Sequence, residues 1–181
     1  MHDTYRGLTK ILMGFIIALI DINIAYVNII PDFIGYGMVA YGLMQLDSEK
    51  EKNWAVFLAI FSFPEFFIPN INVMEPLLYE GQFYLSSVYH TSLGVLHLYI
   101  MYLTISMLIR MAEGKGLFHI AKSASSRLKV YVIANISIFI ATPFAINWGE
   151  SLVFLLFFVI IFIFILEIIM LFLIARFRRV L

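Results

Sequence analysis

The sequence predicts an all-α fold, a polytopic bundle of about six transmembrane helices with both termini on the inner side. Three observations carry that expectation. First, 62% of the 181 residues are hydrophobic and 13% are charged, with a mean hydropathy of +0.96; soluble domains average about 25% charged. Second, the apolar residues gather into long runs that lack the alternation of a membrane barrel strand, and in lipid only helices or closed barrels satisfy the backbone. Third, all twelve Lys and Arg fall at one end of these runs: Arg6 and Lys10; Lys50 and Lys52; Arg110, Lys115, Lys122, Arg127 and Lys129; Arg176, Arg178 and Arg179. With six crossings these groups share one face, which the positive-inside rule makes cytoplasmic. The outer connections hold only acids, Asp32, Glu75, Glu80 and Glu150.

Span 1 covers 8–30. It is as long as a crossing helix requires, no small-residue cleavage site follows it, and it reads as a retained span rather than a signal peptide. Pro31 ends it, because the residue before a proline is steered away from helix, and Pro31-Asp32 opens span 2 over 33–46. That span is only about 21 Å long and needs tilt or a thinned bilayer. Ser48 and Glu51 match a capping box, so span 3 begins near Glu49 and runs over 49–68, with a kink at Pro64. Residues 71–90 lack Lys and Arg but carry Tyr79, Phe83, Tyr84 and Tyr89, and read as an outer interfacial segment.

Span 4 covers 92–111 and ends at Glu113-Gly-Lys-Gly. Residues 112–128 read as a cytoplasmic basic loop, whose stretch 117–128 is either an amphipathic helix on anionic lipid or solvated. Span 5 covers 129–146 with Pro143 near its outer end. A tight turn at Asn147-Trp148-Gly149-Glu150 then leads to span 6 over 151–175, long enough to tilt. The whole chain, 1–181, reads as a single integral membrane domain.

Ionisable side chains inside such spans are functional candidates, since each costs roughly 2.5–3.5 kcal/mol at mid-helix. Counting helical rise from the nearest basic residue puts Asp21 and Glu167 about 16 and 14 Å above the inner face, and Glu65 and His97 about 20 Å above it. This shared layer suits a proton or ligand pathway formed by Asp21, Asn28, Glu65, His97 and Glu167; the alternative is a set of interhelical hydrogen-bond fasteners. Folding spans 5 and 6 about Gly149 sets Glu167 opposite Tyr131, with Asn135 one turn away. Folding spans 1 and 2 about Pro31 sets Asp21 near Tyr41 and Gly42, and Gly35, Gly37 and Gly42 serve close helix packing. Asp21 and Asn28, seven apart, share a helix face.

Cysteine is absent, which removes disulfides and thiolate chemistry. No zinc helix, nucleophile elbow or P-loop occurs, so no catalytic residue, metal site or cofactor is expected. His90 and His97 share a helix face but stand about 10 Å apart, too far for one metal. The basic residues are dispersed as topology requires, which argues against nucleic acid.

The stretch Asp21-Ile-Asn-Ile, with Ile30-Pro-Asp-Phe-Ile-Gly-Tyr and Gly42-Leu-Met-Gln-Leu46, resembles a hairpin of small, uncharacterised bacterial integral membrane proteins. Asp21, Asn23, Pro31, Asp32, Gly35 and Tyr36 carry the likeness. It implies a bacterial cytoplasmic (inner) membrane setting and no particular activity.

The leading expectation is therefore a multi-pass protein that binds or translocates a small or lipid-like ligand, as a homodimer, with Asp21 as the principal polar gate and Glu167 and His97 assisting. Its rival is a non-transporting interaction subunit, such as a sensor, immunity or assembly partner, whose outer aromatic segment docks another membrane protein.

Overall fold

Asp3 lies in the first turn of helix α1, His2–Leu19, where a carboxylate meets the positive end of the helix dipole. Beyond it a two-residue antiparallel ladder pairs Asn23–Ile24 with Val27–Asn28, in the register Asn23↔Asn28 and Ile24↔Val27. The expected single helix over 8–30 is thus overturned. Asp and Asn offer the backbone competing hydrogen bonds, and Ile and Val favour extended chain, so the apolar run continues where the helix does not. Asn28 is consequently in a strand and not on the helix face expected for it. The computed structural model describes residues 2–20, 23–24, 27–28, 31–66, 82–145 and 150–181.

Pro31 is the N-cap of α2, Asp32–Met44, and Asp32 occupies its first turn. Helix α3, Glu49–Ser62, starts after Ser48, yet the capping box does not form: Ser48 Oγ donates to the Leu46 carbonyl at 3.4 Å. The α-helix stops at Ser62 and Pro64 lies in a 3-10 turn, Phe63–Phe66, because proline has no N–H for the α-helical ladder.

The remaining helices are long: α4, Gln82–Gly114; α5, Phe118–Ala145; and α6, Glu150–Val180. Helix α4 therefore begins inside the expected interfacial segment, and 112–128 is no loop. Its only break is a turn at Lys115–Leu117, closed by Leu117 N–H on the Ala112 carbonyl and by Gly116 at φ +74°. That is a Schellman-type stop, in which glycine takes the left-handed conformation.

Three stretches are long and apolar enough to cross a membrane, Val88–Gly114, Phe118–Ala141 and Phe158–Val180. Among the described residues these three replace the expected six. Helices α2 and α3, at 13 and 14 residues, are only about 20 Å long against a hydrocarbon core of ~30 Å, and α1 carries Asp3, Arg6 and Lys10.

The chain divides into two compact units, 1–100 and 101–181, with the boundary inside α4. The first unit buries Leu8, Ile11 and Phe15 of α1 with Tyr36, Val39 and Leu43 of α2. In the second, α5 and α6 pack together and bury Tyr131, Met170 and Phe177.

Glycine sets the spacing of α1 and α2. A Cβ on Gly14 would stand 2.5 Å from the Gly35 carbonyl oxygen, and one on Gly42 would stand 2.6 Å from that of Gly7. Both glycine pairs are seven residues apart on their helices, two turns, so the backbones touch twice along one seam. This register turns the hairpin between the ladder strands rather than at Pro31. Gly42 therefore faces Gly7 instead of Asp21, and Tyr41 stacks under the Lys10 ammonium, 3.7 Å from the ring centroid. Gly37 has nothing within 4 Å of a Cβ and takes no part in the seam, contrary to expectation.

Gly14→Ala should lower unfolding stability in mixed micelles by about 1–3 kcal/mol, the cost of overpacking. Gly37→Ala should leave stability unchanged or raise it by up to about 1 kcal/mol. Equal effects at the two positions would contradict the seam.

Candidate functional site

Two polar clusters lie within the packed helices, one in each unit. In the second unit, Tyr131 of α5 donates its hydroxyl to Glu167 Oε2 of α6 at 2.6 Å, and the Asn135 side-chain amide donates to the Tyr131 carbonyl at 2.9 Å. All three are buried, with Tyr131 1% and Glu167 6% exposed. The pairing of Tyr131 with Glu167 and the nearness of Asn135 expected from the sequence are present, while Gly149, about which the fold-back was expected, lies outside the described residues. A carboxyl group held by a phenol inside an apolar pair of helices has two uses: it fastens the helices, or it takes and releases a proton when the pair opens.

In the first unit the polar groups follow one face of α4. His97 Nδ1 and the Tyr36 hydroxyl share a hydrogen bond of 2.8 Å, and the imidazole also meets the Phe15 ring edge-on, with centroids 5.9 Å apart. Two turns toward the N-terminus of α4, His90 Nδ1 stands 3.6 Å from Glu65 Oε1. Next to it Tyr89 donates to the Phe61 carbonyl at 2.8 Å, and Asp32 and Glu65 are close enough to act electrostatically on the same hydroxyl. Asp32 and Tyr36 are one turn apart on α2, as His90 and His97 are two turns apart on α4, so a polar stripe on each helix follows from sequence spacing. Which helix meets which does not follow, since Tyr36 and His97 are 61 residues apart.

The candidates of the expected layer have separate partners. Glu65 is engaged with His90, His97 with Tyr36, and Glu167 with Tyr131. Asp21 and Tyr79 lie outside the described residues. Asn23 and Asn28 contribute backbone to the ladder, while Gly35 and Gly42 contribute close packing instead of a polar wall. Tyr89, read in the sequence as part of the outer interfacial segment, has its ring 5.5 Å from that of Phe61 and its hydroxyl on that residue's carbonyl. Among the described residues no group of three or more His, Asp or Glu could hold a metal ion.

No protein-family model, curated protein or solved structure matches this chain.

Tyr131→Phe removes the phenol from a buried acceptor, and should cost about 1–3 kcal/mol of unfolding stability. Combined with Glu167→Leu, the pair should fall short of additivity by about 1 kcal/mol. Strict additivity in a double-mutant cycle would show that the contact contributes nothing.

Proposed function

We propose that this chain is a multi-pass protein of the bacterial cytoplasmic membrane that binds or moves a small or lipid-like ligand, coupled to proton exchange on side chains within its helices. The observation that carries this reading is the Tyr36–His97 hydrogen bond inside the apolar first unit, two turns along α4 from His90 and Glu65. Histidine is the side chain whose charge changes near neutral pH, and a phenol on its ring nitrogen is a suitable relay partner. Two titratable pairs, Tyr36–His97 and Glu65–His90, each include a histidine of α4 and offer stepping points. A purely structural fastener needs only one pair.

The setting is consistent with the same reading. With the basic groups at the inner surface, α4 enters with Val88 outermost and ends at Lys115, α5 returns outward, and α6 comes back to Arg176, Arg178 and Arg179. Helices α1 and α2 form a glycine-seamed hairpin with the short Asn23–Ile24 and Val27–Asn28 ladder between them. Non-helical backbone at membrane depth is tolerated where protein or a wet cavity covers it, which is the way discontinuous helices form transporter sites. The sequence likeness of 21–46 to small bacterial membrane proteins points to the same hairpin.

Liposomes loaded with a pH-sensitive dye and given a pH gradient test this. The wild-type protein should dissipate the gradient faster than protein-free vesicles. His97→Gln and Tyr36→Phe should each return the rate to the protein-free level while retaining the wild-type melting temperature. Wild-type vesicles no leakier than empty ones, or variants as fast as wild type, would refute the proton pathway.

A further inference from the structure

The first three turns of α5 present a polar groove that the proposed pathway does not use. His119, Lys122, Ser123, Ser126 and Arg127 line a shallow depression that is open to the surroundings. Their spacing places them on one side of the helix, and the two cations and two hydroxyls all donate hydrogen bonds. No Asp or Glu lines the groove, and among the described residues neither Lys122 nor Arg127 has a carboxylate partner. A group carrying negative charge and several acceptor oxygens is what this lining complements.

Depth identifies the source of that group. From Val130 to Ala145 helix α5 has no charged residue, and these 16 residues rise about 24 Å, most of a hydrocarbon core. Residues 119–127 therefore lie at headgroup level on the face where all the basic groups gather. Continuing the groove along the helix come Val130, Ile133 and Ile140, which are 49%, 65% and 63% exposed, and only 22% of this span is buried. A free phosphate would use the groove and leave the stripe bare. A phospholipid would use both, with its phosphate on Lys122 and Arg127 and an acyl chain along the stripe.

We infer that the groove of His119, Lys122, Ser123, Ser126 and Arg127 is a binding site for the phosphate of an anionic phospholipid of the inner leaflet. This site is independent of the Tyr36–His97 pathway and does not require it.

Native mass spectrometry of the full chain in detergent, titrated with phosphatidylglycerol, phosphatidylcholine or inorganic phosphate, provides the test. Wild type should retain phosphatidylglycerol in preference to phosphatidylcholine, and Lys122→Gln with Arg127→Gln should weaken phosphatidylglycerol binding about thirtyfold, two juxtamembrane cations' worth. Lys50→Gln with Arg176→Gln, which removes equal charge from the same face, should retain the preference. Ser123→Ala with Ser126→Ala serves as a second variant, should the charge removal unfold the protein, and should also weaken binding. Equal losses in the groove and control variants would reduce the effect to general surface charge and overturn the site. So would displacement of the lipid by inorganic phosphate, or no preference in wild type.

Discussion

Phe172, Ile60, Phe118, Ile133 and Ile140 are each 63–70% exposed, and they lie on three different helices. A surface this apolar is a liability in water. It is free of cost where the surroundings are as apolar as the side chains. That constraint has a second consequence. If leaving the solvent gains an apolar side chain nothing, helices must adhere through close packing and internal hydrogen bonds.

Both means are present, one in each unit. Along α1 and α2 the absence of side chains at Gly7, Gly14, Gly35 and Gly42 lets two backbones touch, so contact energy replaces hydrophobic drive. Between α5 and α6 the Tyr131 hydroxyl reaches Glu167, a bond that neither partner can exchange for water in an apolar medium. At His97 the polar pair also includes an ionisable ring, and in the proposed function the contact that holds helices together would also respond to protons. The polar groups at the start of α5 are those proposed to meet the lipid itself.

The parts of this fold legible in the sequence were those set by local signals. Pro31 and Asp32 marked the start of α2, Gly114-Lys-Gly116 marked the stop of α4, and the pairing of Tyr131 with Glu167 was read by counting residues back from each. Span limits were read less well, because hydropathy reports where lipid lies and not where a helix ends. Helices α5 and α6 extend past their apolar stretches through Lys122, Arg127, Arg178 and Arg179, which no local breaker interrupts. The first hairpin failed for the opposite reason: Ile and Val sustain the apolar run beyond Leu19 while Asp and Asn end the helix within it. Matching the spacing of Gly7 and Gly14 to that of Gly35 and Gly42 would have given the correct register. The Tyr36–His97 contact had no local signal, since it depends on which helices become neighbours.

The central claim is that α5, the least buried of the three long apolar helices, crosses a bilayer with its basic end inside. The chain has no cysteine, so single introduced cysteines report without background. Glu113→Cys precedes α5 and Asn147→Cys follows it. In sealed vesicles of known orientation, a membrane-impermeant maleimide should label the first only from the inner face and the second only from the outer face. Labelling of both from the same face would mean that α5 does not cross, and would contradict this account.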